Sequence, residues 1–371
     1  MQYFSTVYLS QIINKFCIRG KFLYALPLRT GHINDTHLMH MEGGSQHPEY
    51  VLQRINTDIF KNVDKLMENI WRVTSHLQHK IDDNSYSGEK LGTLQLVKTT
   101  DNQLFFEDTK GNCWRCFVYC PHHTADCTQF TPALAQEGGR ALGVFQSMLA
   151  DLPAESLYQT IPDFHNLSYR LSQFNEALQK NPCQRVAGVG AAIEAIRCRA
   201  DEMLLVHRLG REGKIPLRIT HNDTKLNNIL FDQQEKALCL VDLDTVMPGY
   251  VHFDFGDAIR TLASTTGEDD PELDEIDVDL DLYKSFAQGY LSVMKNVLTT
   301  TEIASLAFSA RLMTYIVAVR FLTDYLLGDT YYKTDYPTHN LVRTRNQLAL
   351  LQAMEAAKRN MESIIESIVE V

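Results

Sequence analysis

The segment from His221 to Asp244 constrains this chain more than any other. It reads H-N-D-T-K-L-N-N-I-L-F-D and, beyond a polar stretch, C-L-V-D-L-D. Asp223 lies two residues after His221 and five before Asn228, and Asp242 follows Asn228 by fourteen, at the end of an apolar run. Residues 216–220 predict a short strand entering the loop, 228–231 a second strand and 237–241 a third. Residues 232–236 form the polar turn between the last two. Such a hairpin brings Asn228 and Asp242 close together. The fold must therefore present one carboxylate on a loop, an amide just after it and a second carboxylate at a strand end.

Those residue types suit phosphoryl transfer. A carboxylate orients the attacking hydroxyl and accepts its proton. An amide oxygen and a second carboxylate hold Mg²⁺ against nucleotide phosphates. The H-x-D-x-x-x-x-N spacing followed by a strand-end Asp is the arrangement protein kinases use. The alternative is a set of solvated acids at a loop and a strand end. Agreement between two separate segments favours the catalytic reading: Asp223 as base, Asn228 and Asp242 as metal ligands, and a small-molecule kinase as the function.

A chain of 371 residues can build two lobes and a substantial core. Its formal charge of −11 disfavours nucleic-acid or membrane-surface binding, so any phosphate site must be assembled locally. No apolar run approaches the length of a membrane span. The first ten residues lack a basic start and an apolar core, which predicts no secretory leader. Scattered cysteines suit a reducing cytoplasm. Cys113 and Cys116, with Cys120, His122, His123 and Cys127, have the residue types of a zinc site. The run Cys113-Trp114-Arg115-Cys116-Phe117-Val118-Tyr119 reads as a strand, however, and strand neighbours point to opposite faces. Buried or incidental thiols are the expectation. Gly188-Val189-Gly190 follows no strand and lacks a third glycine, so it predicts no dinucleotide site.

Residues 22–120 read as β-rich with one helix. Strands are expected at 22–26, within 31–39, and at 49–55, 94–99, 104–107 and 114–119. A helix over 63–79 carries one apolar stripe of Val63, Leu66, Met67, Ile70, Val73 and Leu77. From Ala133 the chain turns mainly helical, with helices expected at 137–150, 188–212 and 304–327 and a long one within 341–369. The acidic run at 268–281 predicts a solvated loop and a helix start. The expected division is residues 1–120 as a nucleotide-binding N-lobe and 121–371 as a C-lobe with the catalytic loop, metal site and substrate pocket.

Gly31-His32-Ile33-Asn34-Asp35-Thr36 has the place and size of a phosphate-covering turn, with backbone N–H groups and the Asn34 and Thr36 side chains as donors. An ordinary hairpin turn is the equal alternative. Kinases hold the nucleotide phosphates with a third-strand lysine. Here that strand reads Tyr50-Val51-Leu52-Gln53-Arg54-Ile55 and has none. Gln53 and Arg54 are both candidates, because alternation alone does not choose between them. Glu68 on the next helix either pairs with that cation or faces solvent.

Taken together, these segments resemble the aminoglycoside phosphotransferase and choline kinase superfamily, and within it the N-acetylhexosamine 1-kinase subgroup. The resemblance rests on Gly31–Thr36, Tyr50–Arg54, the eight residues 221–228, Val241-Asp242-Leu243-Asp244-Thr245-Val246-Met247-Pro248-Gly249, Asp254-Phe255-Gly256-Asp257, residues 320–326 and 328–332. It implies an α+β, bilobal protein-kinase-like fold with a β-rich N-lobe and a mainly helical C-lobe. It implies ATP and Mg²⁺ as cofactors, and phosphorylation of the anomeric hydroxyl of N-acetylglucosamine or N-acetylgalactosamine in amino-sugar salvage. The implied enzyme is cytoplasmic, monomeric or weakly self-associating, and needs neither nucleic acid nor membrane. The candidates for the nucleotide remain Gly31, Asn34, Thr36 and either Gln53 or Arg54; by the resemblance, Asp244, Arg320 and Tyr331 join Asp223 at the sugar. One departure stands out: Asn222 occupies the place of a glycine in H-G-D. A kinase for another small alcohol (an aminoglycoside, choline or a different sugar) and a non-catalytic nucleotide-binding protein are the alternatives.

Overall fold

The structure is a computed structural model that describes residues 4–28, 33–44, 47–83, 86–122 and 130–370. Gly31 lies outside the described residues. The chain divides into two compact units. One holds Met1–Thr124, Glu155–Ile161 and Leu230–Met247; the other holds Ala125–Ala154, Pro162–Ile229 and Pro248–Val371. The first unit's continuous stretch thus runs to Thr124, and two later segments belong to it as well.

The first unit is built on an antiparallel sheet of β1 (Phe22–Leu28), β2 (Asp35–Met41), β3 (Tyr50–Arg54), β4 (Leu96–Val97), β5 (Phe106–Glu107) and β6 (Cys113–Val118). Their order is β1-β2-β3-β6-β4, with β5 also on β6. Every strand expected in this region is present, and β4 and β5 are shorter than their apolar runs. A first helix, α1 (Thr6–Ile13), was not anticipated; Ser5 caps it by accepting the Tyr8 N–H. It packs Leu9, Ile12 and Ile13 with Met39, Leu52 and Trp114 of the sheet. Helix α2 (Val63–Asp82) buries the whole stripe read from the sequence, Val63 through Leu77. In the 3.6-residue helical period those positions fall on one face, and their removal from water stabilises the helix against the unit.

The second unit is helical: α3 (Pro132–Met148), α4 (Leu167–Lys180), α5 (Gly190–Arg197), α6 (Ala200–Met203), α7 (Leu205–Arg211), α8 (Val251–Leu262), α9 (Leu280–Met294), α10 (Thr300–Ala304), α11 (Phe308–Leu327), α12 (His339–Ala356) and α13 (Lys358–Val369). The helix expected over 188–212 is three short pieces, and the C-terminal one breaks at Ala357. Helix α11 is buried nearly all round, with α4, α8 and α12 against it. Helices α3 and α9 approach closely through glycine. A Cβ at Gly139 would strike the Phe286 carbonyl, and one at Gly289 the Gln136 carbonyl. Strand β7 (Arg218–Thr220) leads into the His221 loop. The expected hairpin follows in the chain as β8 (Ile229–Phe231) paired with β9 (Ala237–Leu240), and from Leu230 on it belongs to the first unit.

Candidate active site

Asp223 sits on a loop anchored from behind. The N–H groups of His221 and Asn222 donate to the two carboxylate oxygens of Asp254, at 2.8 and 2.7 Å. Thr224 donates its hydroxyl to the Asp254 carbonyl at 2.5 Å and its N–H to Asp257 at 3.2 Å. Asp254 lies in α8 and is completely buried. Gln146 of α3 donates to it at 2.6 Å, and the Tyr290 hydroxyl of α9 donates to Gln146 at 2.6 Å. Burial pushes the Asp254 carboxyl up, against the pull of His221 and the two N–H donors. Three helices therefore fix the backbone on both sides of the base, leaving the Asp223 carboxylate itself part-exposed.

Asn222 explains the departure noted in the sequence. Its backbone is left-handed, with φ 65°. Glycine takes that conformation freely, and Asn is among the few other residues that tolerate it. Its side chain accepts the Thr220 hydroxyl and donates to the Thr220 carbonyl, each at 3.1 Å. Its own carbonyl accepts the Nε2–H of buried His165 at 3.0 Å. Burial first, and Arg320 next, hold His165 down to about 3, so the ring is neutral at neutral pH.

Asn228 donates from Nδ2 to the carbonyl and the carboxylate of Asp223, at 2.8 and 3.3 Å. Its Oδ1 accepts no hydrogen bond among the described residues. A hard cation prefers oxygen of this kind. Lys225, which the sequence reading left without a role, places Nζ 3.9 Å from Asp223 Oδ1. The Asp223 charge raises its pKa and keeps it cationic. Asp242, in the other unit, also has a left-handed backbone, φ 58° and ψ 52°. In a residue other than glycine this conformation costs on the order of 1–3 kcal/mol and is concentrated at functional sites.

In the same unit as Asp223, Arg320 projects from α11 into a ring of aromatics. Its guanidinium lies 4.7 Å from the Phe164 ring centroid and 5.5 Å from those of Tyr331 and Tyr332. It donates to the Tyr331 hydroxyl at 3.4 Å and has no carboxylate partner among the described residues. Helix α11 ends at Leu327, and Gly328 and Asp329 turn left-handed with φ 97° and 61°. Tyr331 therefore reaches Arg320 by a fold-back rather than along a continuous helix. The carboxylate of Asp324 makes that fold-back, accepting the N–H groups of Thr330, Tyr331 and Tyr332 at 2.8–2.9 Å. The sequence reading passed over Asp324, although a carboxylate one turn before a glycine stop is a recognisable anchor for the following loop.

In the first unit, Asn34, Thr36 and Gln53 join one polar network. Gln53 donates to Thr36 at 3.0 Å and accepts from Arg115 at 2.9 Å. Arg115 pairs with Asp244, and Asn34 donates to the other Asp244 oxygen at 2.7 Å. Arg54 is drawn to the other face of the sheet, where it binds Asp35 and Asn112 and covers the Phe4 ring. Glu68 pairs with Arg72 on its own helix. Cys113 and Cys116 are buried, and no group of three metal-binding side chains occurs among the described residues. No helix among them is long and apolar enough to cross a membrane.

A model of the phosphotransferase enzyme family matches residues 96–291, which include the base loop, the hairpin and Asp254. The chain belongs to that family. Solved structures share the fold of this phosphotransferase over nearly its whole length. A microcompartment-associated aminopropanol kinase is 16% identical, covering 96% of this chain and 99% of its own, with a TM-score of 0.66. An aminoglycoside phosphotransferase from Alicyclobacillus acidocaldarius is 10% identical, covering 99% and 98%, with a TM-score of 0.65. A spectinomycin phosphotransferase solved with ADP and spectinomycin is 13% identical, covering 95% and 99%, with a TM-score of 0.60. The phosphotransferase thus has the α+β, kinase-like architecture expected of it, with a β-sheet lobe and a helical lobe.

Proposed function

We propose that this phosphotransferase transfers the γ-phosphoryl of ATP to the anomeric hydroxyl of N-acetylglucosamine or N-acetylgalactosamine, as an amino-sugar salvage enzyme. The observation that carries the substrate reading is the Arg320 cage. A guanidinium with no ion-pair partner among the described residues, lined by Phe164, Tyr331 and Tyr332, presents donors and ring faces to a neutral sugar. Arg170, held on the Phe164 carbonyl at 3.0 and 3.1 Å, adds a second cation beside it. Two cations disfavour an ammonium group beside the rings, partly offset by the Asp257 charge that acts on Arg320. A hydroxyl or acetamide oxygen fits it well.

In this reading Asp223 accepts the proton of the attacking hydroxyl, and Lys225 offsets charge on the phosphoryl group beside it. Asn228 and Asp242 would hold Mg²⁺; their oxygens have the right hardness for it, and the ion neutralises phosphate charge when bound. Asp244, Arg320 and Tyr331 are assigned to the sugar, and Asn34, Thr36 and Gln53, with Gly31, to the nucleotide; Arg54, expected there as well, is instead held by Asp35 and Asn112 on the other face of the sheet.

The deciding experiment is turnover of Mg²⁺-ATP with a panel of N-acetylhexosamines, unacetylated sugars, aminopropanol and spectinomycin. The expected product is a sugar 1-phosphate, identified by coupling of phosphorus to the anomeric proton. Arg320→Ala should lower kcat/KM for the sugar about ten- to a hundredfold with little change in the KM for ATP. Phosphate on the 6-hydroxyl, or turnover confined to the amino alcohols, would overturn the substrate assignment. No turnover of any alcohol would favour a nucleotide-binding protein.

A further inference from the structure

The third strand of the sheet lacks the lysine with which kinases hold nucleotide phosphates. The register shows what stands beside the gap. Thr36 on β2, Gln53 on β3 and Arg115 on β6 are consecutive cross-strand partners. Their side chains are joined by hydrogen bonds, Arg115 to Gln53 and Gln53 to Thr36, so they share one face. Arg54, the other candidate cation of β3, is committed to Asp35 and Asn112 instead.

Arg115 is an unusual residue for the middle of a strand. It is 1% exposed, and its neighbours in β6 are Trp114 and Cys116. Nε is used on Gln53 and Nη1 on Asp244, whereas Nη2 has no hydrogen-bond partner among the described residues. Nη2 is not sealed from solvent, so this edge of the otherwise buried guanidinium can take up a ligand. The chain places a proposed metal ligand nearby. Asp244 is two residues beyond Asp242, a span of at most about 7 Å. Asp242 is the carboxylate that would hold Mg²⁺, which would neutralise nucleotide phosphate charge.

We propose that Arg115 supplies the phosphate-binding cation of this phosphotransferase, reaching from β6 the place a third-strand lysine would fill from Gln53. Asp244 is its anchor: it fixes one edge of the fork and leaves the Nη2 edge for a nucleoside di- or triphosphate. The proposal rests on the use of ATP argued above.

Direct binding of ATP, ADP and adenosine to the purified protein, by calorimetry, tests it. Arg115→Gln should weaken ATP and ADP about ten- to a hundredfold and leave adenosine within about twofold. Arg115→Gln/Asp244→Asn removes both charges together, so no buried carboxylate is stranded if the single variant fails to fold. It should show the same selective loss. Moving the cation one strand over, as Gln53→Lys in the Arg115→Gln background, should restore most of the ADP affinity. If adenosine weakens in step with ADP in the neutral pair, or if ADP affinity is unchanged, Arg115 serves only to hold Asp244 and the proposal fails. Failure of the unaltered protein to bind any adenine nucleotide would overturn the ATP reading itself, and this one with it.

Discussion

At Asn222 a single backbone angle decides what may stand beside the base. With φ at 65° and two hydrogen bonds to Thr220, asparagine satisfies a position that asks for glycine and adds a tie of its own. Asn222→Gly should therefore keep kcat within about threefold, losing the ties but not the conformation. Asn222→Ala should lose about 1–2 kcal/mol of stability in urea unfolding, from left-handed strain together with the lost bonds. Equal stability of the two variants would show that the angle is not constraining. Asp223→Asn keeps the shape of the base and removes its proton affinity. Turnover should fall by about 10²–10⁴-fold while ATP affinity stays nearly constant. Retained turnover would remove Asp223 from its assigned role. Much of this was legible in the sequence, because H-x-D-x-x-x-x-N fixes residue types and spacing within one short loop. Arg115 was not. It sat inside an apolar strand pattern, and its partner Asp244 is 129 residues away in the chain.

Elements were legible where a period ran uninterrupted. The α2 stripe was read residue for residue, and the strands of the sheet were all found. Helix α8 was seen only as the string Asp254-Phe255-Gly256-Asp257. Its polar members are buried, so its pattern lacks the clean two-faced alternation of a surface helix. The reading over 188–212 missed two breaks for the opposite reason: helical periodicity continues across a kink. The turn after α11 could not be drawn from the sequence because one carboxylate organises it. Asp324 gathers three N–H groups and also accepts from Asn340 at 2.9 Å. Asp324→Ala should release Tyr331 and Tyr332 from Arg320, raising the sugar KM at least about tenfold while leaving that for ATP alone. Steady-state kinetics with each substrate varied in turn will check this. A parallel rise in both Michaelis constants would mean that the substitution damages the unit as a whole.

At the scale of the whole molecule, buried neutral histidines set the response to acid. Burial lowers His165 to about 3 and His252 to about 4, and also depresses His207 and His37. In the unfolded chain these rings take up protons near pH 6.5. Between that pH and the folded values the unfolded state binds more protons, so stability is full above about pH 6.5 and falls as the pH drops. His165 and His252 each contribute a slope of about 1.4 kcal/mol per pH unit in that window. Urea midpoints at pH 7.5 and 5.5 should differ clearly, and His165→Gln should flatten the difference. An unchanged slope in that variant would show that His165 takes up its proton while folded.

The base and the cage are secured to different parts of the same unit. Asp254, Gln146 and Tyr290 tie the base loop to α8, α3 and α9, whereas Asp324, with Arg185 and Asn340 on Asp329, shapes the loop that completes the cage at the end of α11. Evolution can therefore retailor residues 330–332 for a new acceptor alcohol without retuning the proton-accepting machinery. A laboratory seeking altered acceptor range should randomise that short segment and leave Asp324 and the three tying side chains untouched.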